Sequence, residues 1–195
     1  MYEAKNYDHL LGINGLSENL MKNHFTLYQG YVTNTNKLIE SLMAMLQEGK
    51  TGLPEFAELK RRFGWEFNGM RLHEYFFGAM TKDFKELDKN SELSKKFVKD
   101  FGSFENWLND FKATATMRGI GWVITYYDKE IDHLINTWIN EHDVGHLAGA
   151  SLILNLDVFE HAFMLDGLKR LDYIEAFFKM IDWRAVNDRY VKLNK

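Results

Sequence analysis

A single proline, Pro54, interrupts 195 residues, so long unbroken helices are open to most of the chain. From Ser17 to about Gln47, apolar residues recur at helical spacing: Leu20, Phe25, Leu27, Tyr31, Leu38, Leu42 and Leu46. Ser17-Glu-Asn-Leu supplies a plausible capping start, which predicts one long helix or two in line. Gly49-Lys-Thr-Gly52 and Pro54 end that run. A second helical stretch follows from about Pro54 to Ala79, with an interruption expected near Phe63-Gly-Trp-Glu-Phe-Asn-Gly69. Together they predict an antiparallel helical hairpin.

The charged segment Asp83 to Asn90 marks a boundary, giving an N-terminal helical hairpin domain over 1–84 and a C-terminal α/β domain over 85–195. Beyond it, Ser91 to Lys99 and Phe104 to Thr116 read as helices. Gly121 to Tyr127, His133 to Ile139 and Leu152 to Leu156 are short and rich in β-branched and aromatic residues, the composition of strands. Their close spacing in sequence implies a three-stranded antiparallel sheet. Helical spacing returns from Leu171 to Tyr190. The expected class is α+β.

With no cysteine, disulfides, thiolate metal sites and cysteine nucleophiles are all excluded, and the chain suits a reducing compartment. Any metal must be held by nitrogen and oxygen. No basic segment leads into an apolar stretch at the N-terminus, and no apolar run is long enough to span a bilayer, so we expect a cytoplasmic protein without a membrane partner. The net charge of −4, with cations interspersed among acids, argues against a nucleic-acid partner. An anionic substrate would need local positive charge. Aromatic residues make up 15% of the chain, which favours a bulky core over an aromatic-lined site on composition alone.

Four residues carry the most chemistry. Asp157-Val-Phe-Glu-His161 places a carboxylate and an imidazole four residues apart at the end of an apolar strand, followed by a helical stretch. Strand ends are where ligands gather, yet Asp157 could equally cap the next helix. His24 and His73 lie within apolar helical patterns, and buried imidazoles need partners, of which a metal is one. Three imidazoles and one carboxylate suit a redox-active first-row metal. Two other patterns are weaker. His142-Asp-Val-Gly-His146 has zinc-like spacing but a loop-like setting, and Glu130-Ile-Asp-His133 lacks the second pair a di-iron bundle needs. No phosphate-binding glycine loop or nucleophile elbow is present.

Nearly end to end, the chain resembles the iron/manganese superoxide dismutase family. Asp157-Val-Phe-Glu-His161-Ala is similar to that family's Asp-x-Trp-Glu-His-Ala, with Phe159 replacing tryptophan. Phe101-Gly-Ser-Phe-Glu and Arg118-Gly-Ile-Gly-Trp122 resemble the segments before its sheet, His24 with Tyr31-Val-Thr-Asn34 its first helix, and Ile181-Asp-Trp-Arg-Ala-Val-Asn187 its closing motif.

The resemblance implies one iron or manganese ion per chain, held by His24, His73, Asp157 and His161, and the dismutation of superoxide. It implies that His142, in Asn140-Glu-His-Asp143, supplies the outer hydrogen bond, since the alternative position, four before His73, is Gly69. Tyr31 would be the gateway hydroxyl and Arg170 the cation of the access channel. Trp122 and Tyr28 would surround the ligands, and Glu160 would reach a ligand histidine across a homodimer or a tetramer of two such pairs. Several positions depart from the family. His24 and Tyr31 are one residue closer than usual, Tyr28 stands where histidine is common, Phe163-Met164 replaces two tyrosines, and Leu171 replaces a proline. A non-catalytic dimeric homologue that keeps the fold is the alternative these departures raise.

Overall fold

A computed structural model describes residues 1–193 of the chain. Helix α1 spans Glu18–Gln47 and starts as expected: the Ser17 hydroxyl accepts from the Leu20 amide at 3.1 Å. Helix α2 spans Pro54–Phe77, with proline in its first turn, where no amide is needed. Asn34 bonds Glu66, Tyr31 lies on Gly69 and Tyr28 bonds Glu74, so α2 runs back along α1 as an antiparallel hairpin.

The predicted interruption of α2 does not occur. By intrinsic propensity alone, a glycine such as Gly64 or Gly69 disfavours a helix by about 1 kcal/mol relative to alanine. Burial of Met70, Leu72, His73, Phe76 and Phe77 against the rest of the protein outweighs that cost.

Residues 82–91 contain neither helix nor strand. Helices α3 (Glu92–Phe101) and α4 (Phe104–Ala115) follow, capped by the hydroxyls of Ser91 and Ser103. Strands β1 (Gly121–Asp128), β2 (His133–Asn140) and β3 (Ser151–Asp157) form an antiparallel sheet in the order β2-β1-β3. The central strand β1 is buried from Gly121 to Tyr127. Trp122 therefore faces Ile139 on one side and Asp157 on the other, which sets the end of β3 beside the β1 tryptophan.

After β3 the chain takes two short 3-10 turns, Glu160–Ala162 and Met164–Asp166, instead of the helix expected immediately after Asp157. The tail is two helices, α5 (Arg170–Phe177) and α6 (Trp183–Leu193). They are separated because residues 180–182 pair with residues 79–81, just past α2: the Thr81 amide donates to the Met180 carbonyl at 2.7 Å and the Asp182 amide to the Ala79 carbonyl at 2.8 Å. The fold is thus α+β, with the sheet and two helical layers meeting where α1, α2 and β3 converge. Aromatic residues fill the core, as in the stack of Phe97 on Trp107 at 4.2 Å, and they line this junction as well. Among the described residues no helix is long and apolar enough to cross a membrane.

Candidate metal centre

Residues seven apart on an α-helix return to the same face, and so do residues four apart. On α1 this rule brings His24, Tyr28 and Tyr31 to one side, so the shortened spacing between His24 and Tyr31 still fits a regular helix. On α2 it aligns Trp65, Gly69 and His73. β3 delivers Asp157 at its last position, and the following turn brings His161 back over it.

The four side chains converge. Asp157 Oδ2 lies 3.2 Å from His24 Nε2, 3.2 Å from His161 Nε2 and 3.5 Å from His73 Nε2. All four candidate ligand atoms fall within 4.8 Å of one another, the one such cluster among the described residues. His24, His73 and Asp157 are almost completely buried, while a quarter of the His161 side chain is exposed.

The protons show what the cluster suits. His73 Nδ1 lies 2.6 Å from the Gly69 carbonyl, which can only accept, so that nitrogen carries the proton. His73 Nε2 is then a bare lone pair with no hydrogen-bond partner, pointed at a carboxylate oxygen. Two lone pairs facing each other at that range repel unless a cation lies between them. The donor set of three imidazoles and one carboxylate fits iron or manganese.

Electrostatics agree. Burial pushes Asp157 up, but the neighbouring His161 charge and the bonds from His161 and His24 hold it far below the usual carboxylate range. Burial holds His24 and His73 down, so both favour the neutral form that ligates. His161 is raised: burial opposes protonation, but the Asp157 carboxylate outweighs it. Asp157 also accepts from the Phe159 amide through Oδ1 at 2.8 Å. The helix cap considered for this aspartate is therefore not formed: Oδ1 closes a turn on the Phe159 amide, and Oδ2 is left facing the three imidazoles.

Beside the cluster runs a chain of hydrogen bonds. Trp122 Nε1 donates to His142 Nδ1 at 3.0 Å, and His142 Nε2 meets the Tyr31 hydroxyl at 2.8 Å. An indole can only donate, so neutral His142 carries its proton on Nε2 and offers it to Tyr31. Burial lowers His142 to about 4, which keeps it neutral at physiological pH. Burial, then the Asp157 charge, raises Tyr31 above the ordinary phenol range. Gly69 makes room for this arrangement. A Cβ there would lie 2.6 Å from the Tyr31 ring.

Phe159 stacks between His142 at 4.7 Å and His161 at 5.1 Å. Trp65, which the sequence reading passed over, packs against both His142 (4.5 Å) and Tyr31 (5.5 Å) and is covered by the Arg62 guanidinium. Its only sequence signal is the four-residue row it shares with Gly69 and His73.

The remaining expected residues lie as follows. The Tyr28 side chain is buried, and its hydroxyl donates to Glu74 at 3.1 Å and accepts from the Lys5 amide at 3.0 Å, so it faces inward and not toward an outer surface. Glu160 is exposed beside His161. Arg170 donates to the carbonyls of Met117, Gly119 and Val158, clamping the loop before β1 to the residue after Asp157. His146 does not join His142 in a metal pair, since its Nε2 faces the His142 carbonyl. Glu130 is exposed, and His133 lies 3.6 Å from Asp100.

Residues 89–189 match the family model for the iron/manganese superoxide dismutases, C-terminal domain. Among curated relatives, the superoxide dismutase [Fe] of Aquifex pyrophilus is 34% identical across 96% of this chain and 91% of its own length. A superoxide dismutase [Mn] of Haloferax volcanii is 34% identical across 86% of this chain and 82% of its own. The superoxide dismutase [Fe] of Methanothermobacter thermautotrophicus is 32% identical across 89% and 85%.

Proposed function

The chain belongs to the iron/manganese superoxide dismutase family, and from that premise we propose that it converts two superoxide anions and two protons into oxygen and hydrogen peroxide. The observation that carries the proposal is the His73 lone pair facing the Asp157 carboxylate inside a ring of two further imidazoles. His24, His73, Asp157 and His161 would hold the metal. Iron or manganese bound there would supply the one-electron couple that dismutation requires.

The protein's own residues handle the protons. His142 donates a hydrogen bond from Nε2 to the Tyr31 oxygen, which leaves the Tyr31 hydroxyl proton free to point toward an incoming anion. Because Tyr31 is held protonated, it remains a donor at neutral pH. Phe159 and Trp65 pack on the His142 ring and help fix its orientation.

Relatives with iron and with manganese are equally similar, and the ligand set serves both. A homodimer completes the proposal. Glu160 projects outward next to the partly exposed His161, followed by the exposed apolar side chains of Met164 and Leu165. A second chain on this face would let Glu160 orient a ligand histidine across the interface. A cytoplasmic location accords with a chain that has no cysteine.

Separate reconstitution with iron and with manganese tests the proposal. Each preparation is assayed for metal per chain and for superoxide removal, and at least one metal should give rapid dismutation. Stoichiometric binding of both metals without acceleration would refute the enzymatic reading.

A further inference from the structure

His142 depends on the loop that carries it as much as on its ring contacts. Residues 141–150 leave β2 through a tight bend in which Glu141 takes a left-handed backbone (φ 50°) and Asn140 pairs with Val144. His142 sits at the tip of that bend. Its main-chain carbonyl lies 2.8 Å from His146 Nε2. A carbonyl can only accept, so His146 carries a proton on Nε2, and in the neutral ring Nδ1 is left as an acceptor. The Tyr126 hydroxyl fills it at 2.6 Å. Burial lifts Tyr126 to about 12, so this hydroxyl stays protonated. Between the two histidines, Gly145 adopts φ 107°, where a Cβ would come 3.0 Å from the Trp138 carbonyl.

Trp122 and Tyr126 are four residues apart on β1 and so share one face of the strand. The irregularity in the β1–β3 pairing leaves this alternation intact, because the unpaired residue, Ile153, is in β3. The central strand therefore holds His142 at two points. Trp122 fixes the imidazole directly, and Tyr126 fixes the peptide behind it through His146.

We infer that Tyr126 and His146 act as a positioning pair, which sets the loop so that His142 Nε2 meets the Tyr31 hydroxyl. Neither residue belongs to the ligand cluster. The inference rests on the dismutase reading for the use to which His142 is put, but the clamp itself can be measured separately.

The test uses metal-loaded wild type, H146A, H146Q and Y126F. Metal content, thermal midpoint, kcat and KM, and hydrogen exchange over residues 140–146 are measured for each. H146A should keep its metal yet lose about fivefold in kcat, the equivalent of one ordinary hydrogen bond. Exchange in the loop should quicken about tenfold. The glutamine of H146Q can donate to the carbonyl and accept from Tyr126, so it should return kcat to within about twofold of wild type. A purely stabilising role would lower the thermal midpoint and leave kcat per bound metal unchanged.

Wild-type kcat in fully loaded H146A, or no recovery in H146Q, overturns the proposal. If H146A fails to load metal, Y126F decides: reduced kcat at full metal content supports the pair, and an unchanged value refutes it. Should loaded wild type show no dismutation, the functional reading fails, and loop exchange alone judges the clamp. Equal protection in wild type and H146A would then sink it.

Discussion

The ring of Tyr31 rests on the α-carbon of Gly69, so closely that a Cβ at that position would meet three ring carbons at 2.6 to 2.9 Å. An exposed helical glycine replaced by alanine usually gains about 1 kcal/mol. Here the sign reverses, because the ring is held from the far side by its bond to His142. Gly69→Ala should destabilise by about 1–3 kcal/mol through overpacking and displace the Tyr31 hydroxyl. Thermal melts and superoxide assays on the same preparation check it. A variant more stable than wild type with full activity would show that Tyr31 can shift freely.

Trp122 fixes which nitrogen of His142 bears the proton. In Trp122→Phe the donor to Nδ1 is lost, and the proton is free to move to that nitrogen and away from Tyr31. Partners of this kind around a metal centre typically change activity by about 10–100-fold when removed. We expect a fall of about tenfold in kcat with metal content unchanged. Retention of wild-type kcat in the loaded variant would mean that the tautomer is set by some other contact.

The helices, the strands and the four residues that converge at the candidate site were legible in the sequence because each has a local or motif-level signature. The apolar spacing of α1, the serine caps of α3 and α4, and the β-branched strands all describe contacts with near neighbours. What could not be read depends on residues far apart in sequence. Gly69 looked like a helix breaker, and its reason is Tyr31, on another helix. The tail looked like one helix, and its break comes from pairing with residues 79–81. Trp65 gave no motif, and His146 gave only a zinc-like spacing that its hydrogen bonds do not use, since their roles arise only when α2, β1 and the 141–150 loop meet.

Asp132 ties the β1–β2 turn to α3, and this contact predicts an acid-sensitive part of the stability. Lys96, itself almost fully buried, lies 2.8 Å from Asp132 Oδ1, Lys99 bonds the other oxygen, and the Tyr127 hydroxyl donates to Oδ1 at 3.0 Å. Hydrogen bonds from Lys96 and Lys99 hold the carboxyl well below its ordinary range. Its folded value is thus lower than its unfolded value, so the contribution is present above about pH 4 and is lost as pH falls below that. The carboxylate is about half exposed, which limits the effect to about 1 kcal/mol. Denaturant melts from pH 7 to 3 should show wild type losing its advantage over Asp132→Asn toward the acid end. A constant difference across that range would exclude the ionised pair as its source.

The Tyr28 hydroxyl serves the interior of its own chain. It joins Glu74, which also receives Lys5 at 3.1 Å and Arg71 at 2.7 Å, and it accepts from the Lys5 amide. The N-terminal segment is thereby fastened to both helices of the hairpin. Tyr28→Phe removes one donor and one acceptor while keeping the ring, at a cost of about 1 kcal/mol. For a chain of this length that corresponds to about 2–4 °C in melting temperature. Because the hydroxyl points at Glu74 and not at the ligand atoms, kcat should stay within about twofold of wild type. Sedimentation should show the same oligomeric state, since the side chain is 1% exposed. Loss of the assembled form in Tyr28→Phe, with the monomer still folded, would instead assign this hydroxyl to the contact between chains.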